Sequence, residues 1–137
     1  MQQEVQEHYF GELPVGQAFL APTLDDKIPY LVCAPTMRVP LSIQFSKNAY
    51  LALRAALLCA TRHNDKNNDD NDSRKIETLL YPGLGNGVGC LPVQVAAKQM
   101  RAAFMNVIHS QNASFTTMGN AYAEHVSLVY RVPFAKS

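Results

Sequence analysis

Four of the chain's seven glycines, Gly83, Gly85, Gly87 and Gly89, fall within seven residues of one another. They sit between an apolar run, Ile76 to Tyr81, and a helix-like run that begins at Pro92. Glycine reaches φ > 0 and lets another backbone or a ligand come close. An extended run, a glycine-rich turn and a helix start together describe a place where backbone N–H groups surround an anion. The competing reading is a tight connection and nothing more. The stretch lacks the Lys-Ser/Thr ending of a nucleotide P-loop, and its every-second-residue glycines do not fit G-x-G-x-x-G.

Length and composition narrow the setting. A chain of 137 residues makes one domain, 1–137, with a core that needs no staples. Hydrophobic residues make up 47% and charged residues 17%, with a formal net charge of +1, so the balance is that of a globular protein. No basic stripe marks a nucleic-acid partner. Cys33, Cys59 and Cys90 are far apart and unpaired in any C-x-x-C, which suits reduced thiols and a cytoplasmic location. The apolar run from Tyr50 to Ala60 is interrupted by Arg54 and too short for a bilayer, and Met1-Gln-Gln-Glu-Val is no signal peptide, so neither membrane nor export is expected.

Read in order, Gln2 to Phe10 suits a short helical turn and 17–23 and 28–34 suit strands, with a turn at Asp25-Asp26-Lys27. Ser46 is placed to cap a helix over Lys47 to Arg62. Residues 63–74 contain no apolar side chain and read as a polar mobile loop. Asp65-x-Asn67-x-Asp69 opens like a calcium loop, but Asp70 replaces its glycine and Ile76 its bidentate Glu, so no metal is assigned. A third strand is expected over 75–81. Pro92 suits a first helical position, and Val93, Ala96, Ala97, Met100, Phe104, Val107 and Ile108 recur as a core stripe, with Arg101 off it. Residues 114–130 repeat near a helical period, although His125 to Val132 reads equally as a strand. Strands alternating with helices give α/β, with ligands beyond the carboxyl ends of the strands.

Three blocks carry a resemblance: Gly11 to Ala18, Tyr30 to Arg38, and Tyr81 to Pro92. Through them the chain resembles the macro domain, an ADP-ribose-binding module, and specifically its bacterial and phage macro-domain-like members, over about residues 4 to 108. The resemblance implies a three-layer α/β/α macro-domain-like sheet that is N-terminally incomplete, because the family's opening strands, adenine-holding Asp and Asn-rich first loop have no counterpart after Met1. It implies binding of ADP-ribose or a related nucleotide diphosphate, free or on an ADP-ribosylated protein, with Gly85, Asn86, Gly87, Val88, Gly89 and Cys90 around the diphosphate. Gly89 stands where the family commonly has an aromatic residue and Cys90 where it has glycine. Thr36 and Arg38, on the loop after the second strand, are expected at the same edge, with Arg38 reaching a phosphate.

The family also includes ADP-ribosyl and O-acetyl-ADP-ribose hydrolases, an activity that the missing first loop argues against in this chain. A structural or phage-related interaction role with a vestigial pocket is the further alternative. No catalytic residue and no cofactor is assigned: Cys90 has no histidine near it in sequence and reads as a small loop residue.

Overall fold

The computed structural model describes residues 2–66, 75–111 and 115–130. Its elements are α1 (Gln2–Tyr9), β1 (Phe19–Pro22), β2 (Tyr30–Cys33), α2 (Asn48–Lys66), α3 (Val93–Ile108) and α4 (Met118–Val129). The expected three-layer α/β/α sheet is therefore corrected. Four helices accompany one two-stranded sheet among the described residues, and its strands run antiparallel, with Phe19 opposite Cys33 and Pro22 opposite Tyr30.

The turn that closes this hairpin comes from side chains. Asp25 Oδ1 accepts the N–H groups of Lys27 at 2.7 Å and Ile28 at 3.3 Å, a local hydrogen-bonding mode that aspartate favours in turns. Thr23 reinforces it by donating its hydroxyl to the Ile28 carbonyl. A tight turn between consecutive strands makes an antiparallel pair, whereas parallel strands need a long crossover.

The third strand, expected over 75–81, does not form. Its backbone finds a substitute partner at Ile76: Asn64 Nδ2 donates to Ile76 O at 2.9 Å, and Asn64 Oδ1 accepts Ile76 N–H at 2.8 Å. One amide side chain thus supplies the donor and acceptor that a neighbouring strand would offer at a single residue, and no ladder continues beyond it. Asn64 can do this because α2 runs on to Lys66, so 63–66 of the expected polar loop are helical. Residues 67–74 of that loop lie outside the described residues.

Helices α2 and α3 form the body of the molecule. Ser46 Oγ accepts the Asn48 N–H at 3.3 Å at the start of α2, and the helix buries Ala49, Ala52, Leu53, Ala55, Ala56, Leu57 and Ala60. Opposite them, α3 buries Val95, Ala96, Gln99 and Ala103. The small alanines let the two backbones approach. One core cluster joins Leu53, Leu57 and Ala103, another joins Ile43, Ala49, Leu91, Val95 and Ala96, and Leu84 packs against both.

Helix α4 settles the last segment as helix over 118–129, with Thr117 Oγ1 accepting the Asn120 N–H at 3.2 Å. It docks through Lys47 Nζ–Glu124 Oε2 at 2.8 Å and through Lys98, whose ammonium donates to the Ser127 carbonyl. Gln99, fully buried at 0% exposure, ties the three helices together. Its Oε1 accepts the Tyr50 N–H at 3.2 Å, and its Nε2 donates to Ser46 O at 2.7 Å and Leu128 O at 3.0 Å. Two of these partners are groups that helix ends leave without an internal bond: an amide in the first turn of α2 and a carbonyl in the last turn of α4. Among the described residues no helix is long and apolar enough to cross a membrane.

Candidate functional site

The glycine-rich stretch folds into two consecutive turns closed on themselves. Cys90 N–H donates to Gly87 O at 2.9 Å and Leu91 N–H to Gly85 O at 2.9 Å, while Asn86 Nδ2 donates to Leu91 O at 2.8 Å. Ile43 threads the loop onto the core: its N–H donates to Gly89 O at 2.8 Å, and its side chain is buried against the same turn.

Two glycines are explained by this packing. Gly85 has φ +76°, and a Cβ at Gly89 would stand 2.7 Å from both Gly85 O and Ile43 Cγ1. Gly87 is different. Its φ lies outside the left-handed region, and a Cβ there would meet nothing within 4 Å. Packing does not require a glycine at that position.

Cys90 occupies the left-handed region, with φ +51°, a conformation that costs a non-glycine residue roughly 1–2 kcal/mol. A glycine at this place would carry no such strain. The Cys90 thiol is exposed and lies 3.5 Å from the Val88 carbonyl, its one hydrogen bond among the described residues. Among the described residues no general base is hydrogen-bonded to it.

Among the described residues, the N–H groups of 85–89 donate no hydrogen bond, and the start of α3 beyond the loop has no side-chain cap, Pro92 being the residue before the first helical turn. Of these residues Gly87 and Val88 are exposed and Gly89 is buried, so it is the tip of the loop that lies open near the positive end of a helix dipole. On one side it borders an open groove of roughly 450 Å³ floored by Val93, Ala97, Met100 and Phe104 and flanked by Tyr81 and Arg101.

This floor is most of the stripe expected to be core. Val93 is 67% and Phe104 38% exposed, whereas α3 turns Val95, Gln99 and Ala103 inward. Arg101, read as simply off the stripe, stands at the groove's edge as its cation. A charged residue one position from an apolar stripe was the signal for it.

Thr36 and Arg38 do not join the loop through any hydrogen bond or ion pair among the described residues. The Thr36 carbonyl accepts Asn48 Nδ2 at 2.8 Å. Arg38 is held by Glu12, with Nε–Oε1 at 2.6 Å and Nη2–Oε2 at 3.2 Å. Met37 between them packs onto the cluster that contains Leu91, so the segment lies near the loop's base while its polar groups are engaged elsewhere. No group of three or more His, Cys, Asp or Glu side chains suited to a metal ion occurs among the described residues.

An uncharacterized protein of Aquifex aeolicus (strain VF5) is 35% identical over 88 residues, which are 64% of this chain. They are 47% of the Aquifex protein, so the chain spans about half the length of the curated relative it matches. No family model matches the chain, and no solved structure matches it.

Proposed function

We propose that the chain binds a nucleotide diphosphate of the ADP-ribose kind, with the diphosphate on the 85–89 turns and the rest of the ligand along the adjoining groove. The observation that carries this reading is the run of backbone N–H groups at 85–89 that the fold leaves undonated while pinning the loop's carbonyls. Such donors, held in place before the ligand arrives, bind an anion without paying for ordering of the loop. Arg101 supplies a charge for a phosphate oxygen, and Tyr81 and Phe104 supply aromatic surface for a base or ribose. The resemblance of Tyr81 to Pro92 to the macro-domain ligand loop supports the same ligand class.

The test is a thermal melt with added ADP-ribose. Ligand at one hundred times its dissociation constant contributes about 2.7 kcal/mol to the folded state. Gly87→Val should abolish that gain while leaving the unliganded melt unchanged, because Gly87 is in open space. Arg101→Ala should weaken binding about tenfold, or ~1.4 kcal/mol. A flat titration to millimolar ADP-ribose with folded protein would remove the proposal.

A further inference from the structure

A second groove, of roughly 590 Å³, lies on the other side of α2, between that helix, α1 and the segment entering β1. Its wall is cationic by helical register. Arg62 and Lys66 are four apart along α2, which places them on one face, and Arg54, two turns earlier, and His63 line the same groove. Glu4 is its one carboxylate among the described residues.

Ion pairing does not neutralise Arg54, Arg62 or Lys66 among the described residues. The salt bridges there are Glu12–Arg38 and Lys47–Glu124, and Arg54 Nε donates to a neutral acceptor, Asn106 Oδ1, at 2.9 Å. Cys59 lines the same groove, where burial pushes its thiol up and Arg62 and Lys66 pull it part of the way back. Like charges along one face repel, and in a chain of net charge +1 their concentration here is local.

We propose that this groove binds a ligand carrying two or more phosphate groups in a row. Twelve residues separate Arg54 from Lys66, a rise of about 18 Å, so a single phosphate reaches Arg62 and Lys66 one turn apart but not Arg54. A chain of phosphates follows the row and relieves the repulsion within it. Tyr9, whose ring lies 5.7 Å from that of Phe19, closes the α1 end with an aromatic surface. This site is independent of the glycine loop.

Calorimetric titration with inorganic tripolyphosphate tests it. The expected result is saturable binding that weakens at least tenfold in Arg62→Ala/Lys66→Ala and is unchanged in Lys27→Ala, an exposed cation of the hairpin turn. Circular dichroism of the double variant should match wild type, both side chains being exposed. Inorganic phosphate should bind at least tenfold more weakly than tripolyphosphate. The proposal is overturned by no binding at millimolar ligand, by equal losses in Lys27→Ala, by equal affinity for phosphate and tripolyphosphate, or by a loss in Arg101→Ala with none in the double variant.

Discussion

A single side chain, Gln99, does what the apolar core cannot do for itself. Its amide meets one backbone donor and two backbone acceptors, so the ends of α2 and α4 are buried without orphaned groups. Leucine fills nearly the same volume but satisfies none of the three. Each buried group left alone costs about 1–3 kcal/mol, and packing relaxation recovers part of that. Gln99→Leu should therefore lower stability by about 2–4 kcal/mol, seen as a lower urea midpoint; an unchanged midpoint would mean that water replaces the amide. Nothing in the sequence marked this residue. A lone glutamine within an apolar repeat reads as surface, and the backbone groups it satisfies lie about fifty residues before it and thirty after.

Elements were legible where their signal was local. The periodicity of α2, α3 and α4 is carried by each segment alone, and the Asp25 turn by the residues within it. Strand 75–81 failed because a short apolar run becomes a strand only when a partner is supplied from elsewhere, and here Asn64 supplies a partner at one residue only. On α3 the helix was readable but its inward face was not. The buried face of α3 is Val95, Ala96, Gln99 and Ala103, so bulky apolar side chains such as Val93 and Phe104 fall on the groove and pull the apparent hydrophobic direction with them.

The glycine loop divides in the same way between packing and ligand approach. Gly89→Ala should destabilise the protein by about 1–3 kcal/mol, because its new methyl meets a carbonyl and Ile43. Gly87→Ala should stay within about 0.5 kcal/mol of wild type. Paired thermal melts check both, and equal melts would mean that the loop reshapes freely.

On the scale of the whole molecule, both strands of the hairpin pack on α2, and two thiols, Cys33 on β2 and Cys59 on α2, belong to the elements that meet there. Burial raises both above the ordinary value of 9.0. A thiol whose folded value is raised keeps its proton in the folded state after the unfolded chain has lost its own, so this contribution is complete below pH 9.0 and is lost as pH rises through the raised values. Stability should accordingly fall above about pH 9, and less steeply in Cys33→Ser/Cys59→Ser. Urea midpoints between pH 8 and 10 measure it; identical slopes would remove the thiols as the cause.

The Gln99 junction also governs motion. Amides in the first turn of a helix usually exchange with solvent through fraying, which needs little free energy. The Tyr50 amide is instead clasped by a side chain rooted in the middle of α3, and releasing it means separating α2 from α3. Its hydrogen exchange should match that of mid-helix amides such as Leu53 and proceed only through global opening, so the start of α2 would be among the last parts of the molecule to loosen.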